Sequence, residues 1–548
     1  MDRLLKKNIE DARYLNPDKI SLEGFTYKNI YDLLKKKVEE KSDENFLTFY
    51  NEGILKKELS YKEFLISVFL LSEYMQKLGI SNGSKVILFS TNHYNSVLFY
   101  FSCWTLGAVA VPVNVNEEVS RIEYIIENAG VKYIFSSIKN NEKLKSIKSV
   151  FIKNFEDINY SEQNTFNFDL GKSADLNDEA LIVYTSGTTG NPKGVVLTQF
   201  NLLIDSFYIA KWNKVEKNDT MMCVLPLHHV NGIVVTILTP LIAGGRIILN
   251  NKFHTNSFFR IIEKESVKIT SVVPTLLQFL LHSDIEISNY NLNNLSHIIC
   301  GAGPLTCELA RNFEEKFKVK IVHGYGLSET TCYSCFIPQN LADAEHKKWQ
   351  NDFGFPSIGI PLQCNEMEIH DDKGKSLNED EKGEIVIRGL NVMKYYFEND
   401  EANAKAFDHG WFHSGDEGFF KLDGKGNKYF FITGRLKELI IRGGVNISPL
   451  EIDEVLNSID FVESAIAVGF DNEWYGEEIG AYVKLKSGFR ESDDLKQNIL
   501  SFCREKLPAY KSPKVVVFSN SIPVTSTGKY RRNSVKQEFE LYQKIQYK

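Results

Sequence analysis

Residues 184–194 read YTSGTTGNPKG and separate two apolar segments. The preceding residues, ALIVY (180–184), have the pattern of a strand, and the following VVLTQFNLLIDSFYIAKW changes from a strand-like run into a helix. A turn rich in glycine and hydroxyl side chains leaves backbone N–H groups and hydroxyls free to face a phosphate. It is not a Walker A loop, because Pro192 precedes Lys193 and Gly194 follows it. The stretch therefore predicts an anion-binding loop inside an α/β fold.

Strand and helix patterns alternate on both sides of this loop. KVILFS (85–90) is a short apolar strand after the helical spacing of residues 61–80, and SVLFYFSCWTLGA reads as a buried helix before AVPVNV. The same rhythm returns in LSHIICGAG, ELARNFEEKF and VKIVHGYG. This spacing predicts βαβ units and a mostly parallel sheet.

The pattern changes after about residue 360. Short strand patterns such as GEIVIRG and GFFKLDGKGNKYFFITG, with the turn signals DDKG and DGKGN, predict hairpins beside the parallel core. A smaller α/β pattern starts at Glu451. We therefore predict an α/β fold: a large N-terminal domain of βα-type sheets with a β-rich subdomain, and a small C-terminal α+β domain. The joint is expected near GRLKELIIRGG, which divides the chain into residues 1–434 and 435–548.

Bulk composition narrows the class of protein. The chain has 548 residues, longer than one hydrophobic core usually supports, and its 43% hydrophobic and 25% charged residues are typical of a globular protein. A net charge of −7 gives no electrostatic reason to expect nucleic acid as a partner. Eight cysteines without a secretory pattern at the N-terminus favour reduced thiols and a cytoplasmic protein.

Two sequence features have alternative interpretations. The apolar runs at 96–113 and 233–249 could be membrane spans, but glycine and proline interrupt both, which favours a buried helix running into a buried strand, so no membrane span is expected. CYSC (332–335) could be a metal or redox motif, but no second pair completes a site, which favours structural thiols.

TSGTTGNPKG resembles the signature loop of the adenylate-forming superfamily, which contains acyl-CoA synthetases, aryl-CoA ligases, luciferases and the adenylation domains of peptide synthetases. Further segments resemble that family's motifs in the same order, from about residue 25 to 533. They are CGAGPL (300–305), HGYGLSETT (323–331), WFHSGDEGFF (411–420), GRLKELIIRGGVNISPLEIDEV (434–455) and PVTSTGKYRRN (523–533).

The resemblance implies a nucleotide site. Its phosphate loop would hold the β- and γ-phosphates of ATP through Thr185, Ser186, Gly187, Thr188, Thr189, Gly190 and Lys193. The backbone of Gly301, Ala302 and Gly303 would touch adenine on one side and the acyl group on the other. Tyr325 would lie on adenine, within the nucleotide-binding segment Gly324, Tyr325, Gly326, Leu327 and Ser328. Glu329 would bind Mg²⁺, with Thr185 as a second oxygen ligand, because a hard cation prefers oxygen donors. Asp416 would bind the ribose hydroxyls, helped by Arg435.

The resemblance also implies that the small C-terminal domain moves. Lys529 would stabilise the negative charge that develops on the carboxylate and α-phosphate. The domain would pivot at Lys437, two positions after Arg435, and then present Gly443 and Gly444 to the pantetheine of CoA. Lys529 cannot stay docked while CoA occupies the same tunnel, so the two steps require two domain arrangements.

The acid would bind near LPLHHVNG (225–232), which resembles the family's acyl-pocket segment. We take His229 as the gate or the neighbour of the substrate carboxylate; a metal site at the His228-His229 pair is disfavoured because no acidic or cysteine ligand accompanies it. No aspartate occurs between Cys223 and Ile237, which disfavours an amino-acid substrate. Relatives specific for acetate or propionate carry a tryptophan where this chain has Gly326, so a longer fatty acid or an aryl acid is expected.

The expected reaction is a two-step ligation that uses ATP, Mg²⁺ and CoA: an acid becomes an acyl-adenylate, and CoA takes the acyl group. A stand-alone ligase that loads the phosphopantetheine of an acyl carrier protein is the alternative. A nucleotide-binding protein without catalysis is disfavoured because Lys193, Glu329, Asp416, Arg435 and Lys529 are all present. Nothing in the sequence positively supports a luciferase-like oxygenase.

Overall fold

The computed structural model describes residues 1–138, 141–158, 174–185, 191–524 and 530–547. In chain order its strands are β1 (Asn45–Asn51), β2 (Ile54–Ser60), β3 (Lys85–Phe89), β4 (Val109–Val113), β5 (Tyr133–Ser136), β6 (Phe151–Asn154), β7 (Glu179–Thr185), β8 (Lys193–Thr198), β9 (Thr220–Cys223), β10 (Arg246–Asn250), β11 (Ile269–Val272), β12 (His297–Cys300), β13 (Lys320–Tyr325), β14 (Cys335–Phe336), β15 (Ile360–Pro361), β16 (Asn365–His370), β17 (Gly383–Gly389), β18 (Tyr395–Tyr396), β19 (Phe412–Leu422), β20 (Lys428–Arg435), β21 (Ile440–Arg442), β22 (Val445–Ile447), β23 (Val462–Asn472), β24 (Gly476–Leu485) and β25 (Val515–Phe518).

The helices of the same residues are α1 (Arg3–Ala12), α2 (Ile30–Lys41), α3 (Tyr61–Lys77), α4 (Tyr94–Leu106), α5 (Val119–Ala129), α6 (Glu142–Ser146), α7 (Gln199–Trp212), α8 (Thr239–Ala243), α9 (Thr255–Lys264), α10 (Pro274–Leu281), α11 (Cys307–Phe317), α12 (Asp343–Asn351), α13 (Asp400–Ala406), α14 (Pro449–Asn457) and α15 (Asp493–Lys506). A π-helix, Asn231–Leu238, precedes α8. Short 3₁₀ turns include Ser328–Thr330 and Leu436–Glu438.

Two large sheets form the core of the N-terminal part. One has nine strands in the order β15-β14-β13-β12-β11-β9-β10-β1-β2, and its pairs from β13 to β1 are all parallel. The other has seven in the order β18-β8-β7-β4-β3-β5-β6, of which β7 to β6 are parallel. Parallel strands are covered on both faces, which explains runs such as the fully buried β4. The predicted βα-type sheets are confirmed.

The predicted hairpin region is a four-stranded antiparallel sheet in the order β16-β17-β19-β20. Turns at the positions of DDKG and DGKGN bound its strands, as the sequence predicted. The register places Asp416 on β19 opposite Arg435 on β20. Two residues separated by 19 positions in the sequence thus become direct neighbours at one end of this sheet.

The small C-terminal sheet has the order β22-β21-β24-β23, and β25 pairs with β24. It has its own apolar core, which contains Ile440, Ile452, Ala467 and Ile499. The α/β fold with a large and a small domain is therefore confirmed. The joint predicted at Lys437 falls in the turn Leu436–Glu438 between β20 and β21, and the limits 1–434 and 435–548 stay a prediction.

Both apolar runs are interior elements. The first forms α4, which ends at Gly107 with a left-handed φ of 69°, followed by β4; the second forms the π-helix, α8 and β10. Among the residues that the structure describes, no helix combines the length and apolarity needed to cross a membrane. All eight cysteines are free thiols, and Cys332 and Cys335 are buried.

Candidate active site

A cavity of about 180 Å³ lies between the large and the small domain. On the large-domain side it is lined by Ala302 and Gly303 after β12, by the end of β13 with Gly324 to Leu327, and by the neighbours Asp416 and Arg435 of β19 and β20. On the other side it is lined by Glu438, α14, Tyr530 and Arg532. Residues predicted to bind adenine and ribose thus share one cavity although Tyr325 and Asp416 are 91 positions apart in the sequence.

The Asp416 carboxylate is the polar centre of this cavity. It is only 3% exposed; its Oδ2 accepts a hydrogen bond from the Tyr325 phenol at 2.7 Å, and its Oδ1 lies 3.2 Å from Arg435 Nε. The Asp416 charge raises the pKa of Arg435, and burial raises the pKa of Tyr325, so both donors keep their protons. A carboxylate offers about four acceptor positions, which leaves room for ribose hydroxyls.

Close packing against backbone and ring atoms explains three of the predicted glycines. A Cβ on Gly301 would lie 2.6 Å from Gly324 O, and one on Gly326 would lie 1.9 Å from Cys332 O. A Cβ on Gly324 would lie 2.4 Å from the Phe336 ring. A side chain at any of these positions would collide with neighbouring atoms, because strand ends meet a loop there. This steric reason is separate from the comparison of Gly326 with the tryptophan of relatives specific for acetate or propionate.

The predicted phosphate side lies at the ends of β7 and β8. Thr185 and Lys193 are register partners, and the Thr185 hydroxyl lies 3.4 Å from the Lys193 carbonyl oxygen. Burial lowers the pKa of Lys193; nearby Lys437 acts in the same direction, and Glu329 opposes them. Ser328 begins the 3₁₀ turn that carries Glu329. The structure thus groups the predicted phosphate lysine, metal carboxylate and pivot residue.

Sequence reasoning missed Tyr396. Its phenol donates a hydrogen bond of 2.8 Å to Glu329 Oε1, and its ring centroid lies 4.9 Å from Lys193 Nζ. The YY pair of β18 was a possible signal, since a strand sends one of two neighbouring side chains to each face. Which face meets Glu329 depends on contacts 67 residues apart, which the sequence does not give.

Sequence reasoning also missed a contact between the domains. Cys307 N, at the first turn of α11, donates to both carboxylate oxygens of Glu454 on α14, at 3.1 and 3.2 Å. Next to it, Arg532 Nη1 donates to Asp453 Oδ1 at 3.0 Å, and both of those side chains are buried. The segment EIDEV (451–455) has no local pattern that distinguishes a docked carboxylate from a solvated one.

Several predicted site residues are not among the described residues that line the cavity. Ser186, Gly187, Thr188, Thr189, Gly190 and Lys529 lie outside the described residues, although Tyr530, directly after Lys529, lines the cavity. Gly443 and Gly444 form the exposed turn between β21 and β22, at φ 57° and 83°, and are not among the described residues that line the cavity. Their predicted contact with CoA stays a prediction.

His229 also lies away from the described cavity lining. Its ring centroid is 4.3 Å from that of His228, and burial lowers the pKa of His228 to about 4, so that neighbour is neutral at pH 7. Two positions after His229, Asn231 Nδ2 donates to the Tyr333 phenol at 3.1 Å. The predicted role of His229 in binding the acid stays a prediction.

The donor set fits a magnesium nucleotide. Within the described residues no cluster of three histidine, cysteine or acidic side chains could form a protein-only metal site. Mg²⁺ is typically held by one or two carboxylates together with phosphate oxygens, and Glu329 and the Thr185 hydroxyl are oxygen donors of that kind. The buried, already oriented Asp416 carboxylate likewise suits a ribose.

Comparison with known proteins gave matches over nearly the whole chain. A family model described as AMP-binding enzyme matches residues 34–397, and one described as AMP-binding enzyme C-terminal domain matches residues 451–529. Oxalate–CoA ligase of Arabidopsis thaliana is 31% identical over 483 residues, covering 85% of this chain and 91% of that protein. Feruloyl-CoA synthase of an Amycolatopsis species is 29% identical over 484 residues, covering 88% and 94%.

A similar solved structure is o-succinylbenzoate CoA synthetase of Bacillus subtilis in complex with its acyl-adenylate intermediate. It is 25% identical, superposes with a TM-score of 0.80, and the match covers 93% of this chain and 98% of that one. The similarity therefore includes both domains.

Proposed function

This chain belongs to the AMP-binding enzyme family and is an AMP-forming acid–thiol ligase, and from that premise we propose that it activates a fatty or aryl acid longer than propionate and transfers it to CoA. The observation that carries the proposal is the cavity between the domains. There the Asp416 carboxylate accepts a hydrogen bond from Tyr325 and forms an ion pair with Arg435, opposite the segment that leads to Lys529.

The proposed reaction has two chemical steps. A carboxylate is a poor electrophile, so its oxygen first attacks the α-phosphorus of ATP and pyrophosphate leaves. The CoA sulfur then attacks the carbonyl carbon of the mixed anhydride, and AMP leaves with the bonding electrons. Both steps need positioning and charge neutralisation rather than a covalent nucleophile on the protein.

We assign the roles as follows. Residues Thr185 to Gly190 and Lys193 hold the phosphates that leave, Gly301 to Gly303 and Gly324 to Ser328 hold adenine, and Asp416 with Arg435 holds the ribose. Lys529 neutralises charge at the reacting carboxylate and His229 neighbours the acid, while Lys437, Gly443 and Gly444 serve the second step. Mg²⁺, held by Glu329 and Thr185, would supply charge neutralisation at the phosphates when bound.

CoA is proposed as the acceptor rather than a carrier protein because the similar proteins are named as CoA ligases and synthases. Their named acids, oxalate and ferulate, differ widely, so the family alone does not select the substrate. A longer acid is supported by Gly326, since no side chain from that position can close the pocket.

Pyrophosphate release tests the proposal. With ATP, Mg²⁺ and a panel of linear and aromatic carboxylates, we expect release only with acids longer than propionate, and thioester formation only after CoA is added. Lys529→Ala should lose pyrophosphate release and serves as the inactive control. No release with any acid would contradict the ligase proposal, and transfer to a phosphopantetheinyl carrier but not to CoA would replace the proposed acceptor.

A further inference from the structure

Tyr396 joins two side chains that would otherwise be independent. Its phenol donates to Glu329 Oε1 at 2.8 Å, while the backbone carbonyl of the same glutamate accepts from Met393 N at 2.7 Å. Glu329 is thus held at its main chain and at one carboxylate oxygen by a single segment, residues 393–396. The remaining acceptor positions of the carboxylate stay available to a cation.

The face of the same ring meets Lys193. The Lys193 ammonium lies 4.9 Å from the Tyr396 ring centroid, within the range of a cation–π contact. A lysine is a flexible point charge, so a fixed aromatic surface limits where its ammonium can lie. One side chain therefore contacts both the predicted metal carboxylate and the predicted phosphate lysine.

Tyr396 is itself firmly held. It pairs with Val195 across β18 and β8, and it is 7% exposed. Its backbone N–H donates to Asn403 Oδ1 at 2.7 Å, and Asn403 Nδ2 donates back to its carbonyl oxygen at 2.9 Å. Asn403 is fully buried on α13. The ring is therefore attached to a sheet and a helix rather than to a free loop.

We propose that Tyr396 is a positioning residue that couples the metal-binding carboxylate of Glu329 to the phosphate-binding Lys193. The proposal rests on the proposed function, which gives Glu329 and Lys193 their ligands. The phenol orients the carboxylate for Mg²⁺, and the ring orients the ammonium for the phosphates. Residues that orient a metal ligand in this way typically change metal affinity by about 10- to 100-fold when removed.

Calorimetric ATP binding, measured with Mg²⁺ and again in excess EDTA, separates the two contacts. Tyr396→Phe removes only the hydroxyl, so we expect magnesium-dependent ATP binding to weaken about tenfold while metal-free ATP binding stays unchanged. Tyr396→Leu removes the ring as well, so magnesium-dependent and metal-free ATP binding should both weaken. In a Glu329→Gln background the Phe substitution should not weaken magnesium-dependent ATP binding further, because the carboxylate that the hydroxyl orients for Mg²⁺ is already absent.

Tyr395→Phe is the matched control. Tyr395 lies on the same strand, and its phenol donates to Glu179 Oε1 at 2.5 Å, away from Glu329, so ATP binding should not change. If Tyr396→Leu does not fold, the Phe variant and the Gln background decide the question. Equal magnesium-dependent binding by wild type and Tyr396→Phe would overturn the inference and leave the proposed function standing. Failure of the wild type to bind magnesium ATP would overturn both.

Discussion

The Asp416 carboxylate has a structural role and a proposed role in binding ribose. It accepts a hydrogen bond from the Tyr325 phenol, pairs with Arg435 across β19 and β20, and lines the cavity between the domains. A buried carboxylate is stable only when its partners offset the cost of desolvation. The same two donors that stabilise its charge also fix its orientation, which reduces the ordering needed when a ribose binds.

Asp416→Asn should therefore weaken AMP binding about tenfold or more and lower the free energy of unfolding by about 2 kcal/mol. The expected loss is smaller than for a fully buried ion pair because the Arg435 side chain is 42% exposed. Denaturant unfolding and calorimetric AMP binding would measure both effects.

Asp380→Asn is the control: Asp380 pairs with Lys421 at 2.6 Å but is 58% exposed, so a loss below about 1 kcal/mol is expected. Equal losses in the two variants would contradict the role given to Asp416.

Asp416 could be predicted from the sequence as a site residue, whereas Tyr396 could not. Asp416 was found because its neighbours form a motif of local spacing. Tyr396 was missed because its partners come from β8 and from the turn at Glu329, and their proximity results from sheet register. Glu454 was missed for a similar reason, since its partner is 147 residues away. Contacts between distant segments depend on tertiary geometry, which local pattern does not encode.

The turn that follows β13 is shaped by packing against its own backbone. A Cβ at Gly326 would lie 1.9 Å from Cys332 O and 2.6 Å from Tyr333 Cα. Backbone atoms cannot move aside as the end of a flexible side chain can, so any substitution must displace the loop that also carries Glu329. The loop thus requires glycine at position 326, in addition to the proposed effect of this glycine on the length of the acid.

Gly326→Ala is expected to lower the free energy of unfolding by about 3 kcal/mol, the upper part of the usual range for overpacking. Gly424→Ala is the control, because its Cβ would meet nothing within 4 Å and its φ is not left-handed. That variant should stay within about 0.5 kcal/mol of the wild type. Denaturant unfolding measures both. An unchanged stability for Gly326→Ala, together with a shift toward shorter acids, would show that position 326 acts through the pocket instead.

Strands of about five residues or more could be predicted from the sequence, whereas strands of two residues could not. Five-residue strands such as β3 and β4 are marked by continuous apolar runs between turn signals. β14, β15 and β18 have two residues each, too few for any periodicity, yet β18 carries Tyr396. The π-helix before α8 likewise has no signature that distinguishes it from an α-helix in an apolar run.

One ionisable contact joins the small domain to the large domain. Glu454 of the small domain lies against the N-terminus of α11 of the large domain. Burial raises its pKa from 4.5 to about 8; the Cys307 N–H opposes that shift, and the nearby carboxylates of Asp453 and Glu308 add to it. The docked glutamate therefore keeps its proton at pH 7, whereas an undocked, solvated glutamate would release it.

This proton links docking to pH. Below about pH 4.5 the carboxyl is protonated in both arrangements, so pH has no effect through this group. Between pH 4.5 and about 8 only the docked form holds the proton, so the docked fraction must fall as pH rises, by at most about tenfold per pH unit. Above pH 8 both forms are ionised and the dependence ends. A rise in pH toward 8 is thus expected to favour release of the small domain.

Energy transfer between labels on exposed residues, one at Lys425 and one at Glu491, would report docking across this range. We expect the signal to fall from pH 5 to pH 8 in the wild type. Glu454→Gln should remove most of that dependence, because the amide cannot ionise but its oxygen can still accept from Cys307 N. Glu451→Gln on the same helix is the control, since Glu451 pairs with Lys511 inside the small domain, at 2.7 Å. If the Glu454 and Glu451 variants keep the same pH dependence as the wild type, Glu454 does not control docking, and the two arrangements must be balanced by the other contacts of α14.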